Sequence, residues 1–289
     1  MSAPTPAQAP TPLTGPLGPC CTRPGAGAVP HAGVARGTVE SIAGLQTYVA
    51  RPSAPSETEG KGQEEGDGEG KGEAGLRVIL YFADVFGPMY LNGQLAMDYW
   101  AAHGYLVLGP DYFEGDSAAH HRGEPGWDVD EWVVPFRTSA ARITPPWVEA
   151  VRDMYGLMLR GTGYCFGAPF VMDLLAEDWV TAGAFAHPAF LDEGHFMRIK
   201  STPLCSYVSE AGSTTEDDFT FPHAARRRAE DILVSRKAAY FIQIFGGAFH
   251  GFATRPDPSL KAERWAKEES AGAVLRWFAH HAENEREDK

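Results

Sequence analysis

The sequence predicts an α/β fold, a mostly parallel sheet with helices on both faces, and three observations carry that expectation. Arg77-Val78-Ile79-Leu80-Tyr81-Phe82 is a continuous apolar run, the pattern of a strand covered on both sides rather than one with a wet face. Apolar runs recur at 105–108 and 240–245, and stretches of helical length and spacing lie between them. Gly163-Tyr164-Cys165-Phe166-Gly167 has the spacing of a sharp strand-to-helix turn. In such a turn one side chain stands exposed, and the residues two before and two after it must be tiny because neighbouring backbone crowds both places.

Taken in order, residues 1–29 are rich in Pro, Ala and Gly and predict a disordered or loosely draped arm. The folded domain is expected over 30–283. It opens on two short strands, 38–42 and 45–50, joined as a hairpin around Ala43-Gly44. Residues 52–75 are a Glu/Gly/Lys low-complexity run that cannot bury apolar surface, and they read as a loop inserted between strands. The strand at 77–82 leads into Ala83-Asp84-Val85-Phe86-Gly87. A helix at 92–102 and a strand at 105–108 follow, the latter ending at Gly109-Pro110-Asp111-Tyr112-Phe113. Residues 114–145 have poor periodicity but carry Trp127, Trp132 and Phe136, as either a lid over a pocket or a surface excursion would.

A helix at 147–155 and a strand at 156–162 lead to the turn at Cys165. Residues 168–176 form the buried helix after it, with Pro169 in the first turn where its missing N–H costs nothing. Strands at 181–186, 203–208 and 240–245 complete the sheet, with an arginine-rich helix at 224–234 and a closing helix at 258–281. Residues 284–289 are an acidic tail, and no internal repeat is present.

At 289 residues and 44% apolar composition the chain can fill a full core. Its formal charge of -13 argues against nucleic acid or an anionic membrane as partner. There is neither a secretory leader pattern nor a membrane-length apolar run. The four cysteines, Cys20, Cys21, Cys165 and Cys205, lack metal-ligand spacing. A reduced, cytoplasmic protein without metal or organic cofactor is therefore expected.

Cys165 is either a nucleophile or a small buried apolar residue, since unpaired thiols are among the most buried side chains. A reacting thiolate needs a base, and the base needs an orienting group. His250 follows the strand at 240–245 between Gly247 and Gly251 and is the leading base; His187, also after a strand, is its rival. Glu210, Glu216, Asp217 and Asp218 compete for the acid on the loop after 203–208.

Gly163-Tyr164-Cys165-Phe166-Gly167-Ala168, Ala186-His187-Pro188, Phe219-Thr220-Phe221-Pro222 and His250-Gly251-Phe252-Ala253-Thr254-Arg255 together resemble the dienelactone hydrolase family, in its fungal and eukaryotic branch. Asp84-Val85-Phe86-Gly87 and Gly109-Pro110-Asp111-Tyr112-Phe113 match as well. The resemblance implies a single α/β-hydrolase domain and a Cys-His-Asp triad that hydrolyses a lactone or ester, with a small and possibly anionic molecule as partner. It assigns the nucleophile to Cys165, the base to His250 and the acid to Asp218, with Asp217 next. The oxyanion donors become the backbone N–H groups of Val85 and Phe166. Asp84 falls where relatives place a glutamate near the thiol, and Arg255 resembles an arginine that binds a substrate carboxylate. Arg122, Arg137 and Arg142 are candidates for a second one. Two other classes stay open: a catalytically idle binding protein of this fold, and a redox-sensing thiol protein with Cys205 as resolving partner.

Overall fold

The computed structural model describes residues 10–15, 17, 31–52, 76–156, 159–200, 204–210 and 220–287. The strands are β1 (Thr38–Ile42), β2 (Leu45–Ala50), β3 (Arg77–Phe82), β4 (Tyr105–Pro110), β5 (Leu159–Tyr164), β6 (Ala182–Ala186), β7 (Leu204–Glu210) and β8 (Tyr240–Gly246). They form one sheet in the order β1-β2-β4-β3-β5-β6-β7-β8. The hairpin β1–β2 is antiparallel and β2 joins β4 antiparallel; every later pairing is parallel. The helices are α1 (Leu91–Ala101), α2 (Val129–Tyr155), α3 (Ala168–Ala176), α4 (Glu193–Arg198), α5 (His223–Ser235) and α6 (Lys261–Glu287).

Each apolar strand is divided between two cores. Val78, Leu80 and Phe82 of β3 enter one core, where they meet Val148 and Val151 of α2, Val171 and Leu175 of α3 and Ile232 of α5. Ile79 and Tyr81 point the other way, into a core closed by Met97 and Trp100 of α1 and by Ala273, Val274 and Phe278 of α6. Alternation along a pleated strand produces this division. It also explains why a run without polar residues is a strand here: both faces are covered.

Three features depart from the sequence expectation. Part of the supposedly loose arm is docked: Leu13 and Leu17 are buried, Leu13 N–H donates to the Leu191 carbonyl, and Gly15 N–H donates to that of Thr220. Two isolated leucines in a Pro/Ala/Gly context suffice because the core supplies the rest of their surroundings. Residues 129–145, expected to be aperiodic, instead form the first part of α2, which runs unbroken through Pro135, Pro145 and Pro146. Asp128 caps its start by accepting from the Asp130 and Glu131 N–H groups. Val133, Ala140, Thr144, Trp147, Val148 and Val151 lie buried along one side, so packing outweighs the lost backbone bonds. The third is α4, a short helix closed at its start by the Asp192–His195 capping box. Among the described residues, no helix is long and apolar enough to cross a membrane.

Candidate active site

Parallel strands deliver their loops to one edge of the sheet, and Asp84, Val85, Cys165, His187, His250 and Arg255 all follow the carboxyl ends of β3, β5, β6 and β8. Cys165 follows β5 directly, at φ +49, in the left-handed region that side chains with a Cβ avoid. A single 3-10 turn, Cys165–Gly167, hands the chain to α3. The flanking glycines are explained by contact. A Cβ on Gly163 would lie 2.6 Å from the Gly167 carbonyl oxygen, and one on Gly167 would lie 2.1 Å from that of Phe82. No side chain fits at either place, so the turn is pressed against β3.

His250 is brought to the thiol by a loop with Gly247 at φ +78 and Gly251 at φ +93. Its Nε2 lies 3.2 Å from Cys165 Sγ. Its other ring nitrogen, Nδ1, lies 2.8 Å from the Thr220 hydroxyl. Cys165, His250 and Thr220 are all buried. Sequence reasoning did not single out Thr220. Its only signal is its place in the Phe219-Thr220-Phe221-Pro222 stretch, next to the acid candidates. Asp217 and Asp218 lie outside the described residues, as do Glu216 and the side chains of Glu210 and Cys205.

His187, the rival base, is also buried and also at positive φ, +38. Its ring stands edge-on to that of His250, 5.0 Å between centres, and packs against Phe252 and Tyr164. It therefore walls the leading base.

Asp84 and Arg255 come together as a buried ion pair, Arg255 Nε donating to Asp84 Oδ2 over 2.8 Å. The Thr254 hydroxyl donates to the same oxygen over 2.6 Å, and Phe86 N–H donates to Oδ1. The guanidinium lies over the Phe86 ring, 4.3 Å from its centre. One carboxylate thus ties the loop after β3 to the loop after β8. Val85 and Phe166 are both buried, one on each of the two loops that face each other across Gly167. The Tyr112 hydroxyl donates to the Ala83 carbonyl. Burial, with Asp84 nearby, holds the Tyr112 phenol well above its usual range, so it stays protonated.

Aromatic rings continue outward from the thiol. Phe166 packs on Tyr112, Phe113 and Phe170. Trp132 lies between Phe113 and Phe136, with Trp127 and His121 beyond. Of the arginine candidates, Arg122 lies over the Phe86 ring and Arg137 over that of Phe190, which meets Phe166 edge-on. Arg142 is exposed on α2. A cavity of about 350 Å³ lies beside the loop after β3, lined by Phe86, Tyr90, Asp111 and His120 among others.

A thiol within hydrogen-bond reach of an imidazole, on a tight left-handed turn, is the pairing that proton-assisted nucleophilic attack requires. Comparison with known proteins places the chain in a family. Residues 69–282 match the profile of the dienelactone hydrolase family. The chain is 32% identical over 257 residues to "Dienlactone hydrolase 1" of Gibberella moniliformis, covering 86% of this chain and 89% of that protein. It is 32% identical over 204 residues to "Hydrolase pyvD" of Aspergillus violaceofuscus, covering 69% and 79%. In fold it is similar to the crystal structure of a putative dienelactone hydrolase from Klebsiella pneumoniae, with TM-score 0.59, 16% identity, and 84% and 98% of the two chains covered.

Proposed function

The chain belongs to the dienelactone hydrolase family, and on that premise we propose that it cleaves a lactone or carboxylic ester with Cys165 as nucleophile, His250 as general base and Asp218 as the acid that orients it. The observation that carries the reading is the 3.2 Å approach of His250 Nε2 to Cys165 Sγ, with the sulfur on a left-handed residue between two glycines that admit no Cβ.

In the proposed cycle His250 takes the thiol proton and the thiolate adds to the carbonyl carbon, forming a C–S bond. Charge gathers on the carbonyl oxygen and is met by the backbone N–H groups of Val85 and Phe166. One such donor is typically worth ~3 kcal/mol of barrier. Collapse of the adduct breaks the C–O bond, and His250 returns its proton to the leaving oxygen. Water, deprotonated by His250, then attacks the thioester; the C–S bond breaks, giving the carboxylic acid and the restored thiol. For a lactone the alcohol and acid leave as one hydroxy acid.

Thr220 belongs to this scheme as a positioning residue, because its hydroxyl at His250 Nδ1 favours the tautomer that keeps Nε2 turned to sulfur. The Arg255 guanidinium is buried and countered by Asp84, so Arg122, partly exposed at the aromatic border, is the arginine we assign to an anionic substrate. A thiol that must stay reduced suits the cytoplasm, the location we propose for it.

The test is hydrolysis of simple aryl esters and of a dienelactone. Cys165→Ala is expected to lose turnover by at least ~1000-fold, since the nucleophile itself is removed; equal turnover by variant and wild type would refute the proposal. Asp218→Asn should cost orders of magnitude in kcat and Asp217→Asn little; the reverse pattern moves the acid to Asp217.

A further inference from the structure

Residues 10–15 cross two segments of the candidate site and tie them to each other. Their sequence suits a docked strap. Pro10 and Pro12 fix φ, and Thr11, lying before a proline, is turned towards extended backbone. A chain already extended loses less entropy on docking. On one side the strap meets the loop after β6. Pro12 forms an antiparallel bridge with Asp192. The N–H groups of Leu13 and Thr14 both donate to the Leu191 carbonyl over 2.9 Å, and Glu193 N–H donates to the Thr11 carbonyl over 2.9 Å. The buried Thr14 hydroxyl accepts from Leu191 N–H and donates to the Leu191 carbonyl over 3.3 Å. That loop in turn touches the nucleophile turn: Ala189 N–H donates to the Cys165 carbonyl over 3.1 Å, and Phe190 meets the Phe166 ring edge-on. On the other side, Gly15 N–H donates to the Thr220 carbonyl over 2.7 Å. The Thr220 hydroxyl is the group that lies 2.8 Å from His250 Nδ1.

We propose that Gly15 is a positioning residue for His250, acting through Thr220, with Thr14 fixing its register against the loop that supports Cys165. The inference rests on the proposed hydrolysis. The Thr220 hydroxyl is carried on Cβ, so the backbone at 220 decides its distance from the ring. Thr220 lies outside every strand and helix, where no ladder of bonds holds that backbone, and Gly15 N–H supplies a fixed point. The other end of the strap is bonded to the loop that touches Cys165, so the base is set with respect to the nucleophile. A neutral imidazole divides between two tautomers, and only the one with hydrogen on Nδ1 leaves Nε2 free to take the thiol proton. With Thr220 held, its oxygen accepts from Nδ1–H and favours that form. With Thr220 adrift, the productive fraction falls while the contacts to substrate stay as they were.

The experiment is a double-mutant cycle in the full chain, read as kcat and KM for aryl-ester hydrolysis at a temperature where every variant is folded. Gly15→Pro removes the N–H that Thr220 accepts, and Thr220→Val removes the hydroxyl at His250. Each alone is expected to lower kcat about tenfold with KM changed by less than about twofold. Together they should lower kcat no further than Thr220→Val alone, because Gly15 acts only through that hydroxyl. Thr14→Val, which loosens the register, should lower kcat in the same way, and it replaces Gly15→Pro in the cycle if that variant does not fold. Leu45→Ala, in the core on β2 and three strands from β5, is the control for lost stability; its kcat should stay within about twofold of wild type. Additive losses in the double variant would overturn the proposal. So would wild-type kcat in both Gly15→Pro and Thr14→Val, a change confined to KM, or an equal fall in Leu45→Ala. Wild-type turnover in Cys165→Ala, run beside them, would instead refute the hydrolysis on which the inference stands.

Discussion

Gly167 shows how one atom's absence positions a reactive group. Its missing Cβ is what lets the turn carrying Cys165 lie against the Phe82 carbonyl, since that atom would otherwise sit 2.1 Å from the oxygen. Backbone cannot retreat as a flexible side chain can. Gly167→Ala is therefore expected to cost ~3 kcal/mol or more of stability and to displace the sulfur from His250. Gly246→Ala is the control, because an added Cβ there meets nothing within 4 Å; it should melt like wild type. Equal melting temperatures for both variants would contradict this account of the turn. Thr220 supports the site by addition. Thr220→Val should lower kcat about tenfold, the worth of one buried hydrogen bond, and shift the pH profile of kcat/KM. A purely structural role would leave that profile in place.

The loop after β3 and the loop after β8 are joined by Asp84 and Arg255, both nearly free of solvent contact. Taking away the carboxylate leaves the guanidinium without that countercharge in a dry place. Asp84→Asn is expected to cost ~3–5 kcal/mol, read as a fall in the denaturant midpoint; a change below ~1 kcal/mol would show the pair to be dispensable. At this scale the sequence was readable wherever periodicity and chemistry agreed. The strands announced themselves as runs, and the turn at Cys165 as a spacing. The long helix α2 did not, because Pro135, Pro145 and Pro146 read as breaks, whereas the buried row from Val133 to Val151 holds the helix through them. Arg255 could be matched to a substrate-binding arginine from its place in the chain, but only coordinates reveal that Asp84 grips it. Thr220 escaped notice because a lone hydroxyl has no pattern around it.

Across the whole molecule, a titratable contact reports on how the chain closes. Lys267 of α6 meets His31 of the segment leading to β1, Nζ against Nδ1. Burial is the main cause that lowers Lys267 from 10.5 to about 8 and His31 from 6.5 to about 4. Both groups are cations when protonated, and folding disfavours that form. The unfolded chain therefore holds more protons between pH 8 and 10.5, and again between pH 4 and 6.5, so stability contributed by these groups rises with pH across each window. Lys267→Met should raise the melting temperature at pH 7 and flatten the upper rise relative to wild type; parallel curves for the two proteins would contradict the assignment.

The strand order holds one more consequence. Cys165 hangs from a strand near the middle of the sheet, whereas His250 follows β8 at one edge, paired among the described residues with β7 alone. Peripheral strands fray first on heating, and fraying would carry the imidazole off its sulfur while the centre of the sheet stays intact. Warmed slowly, the protein should fall silent as a catalyst several degrees before its circular dichroism changes, and recover on cooling from that interval.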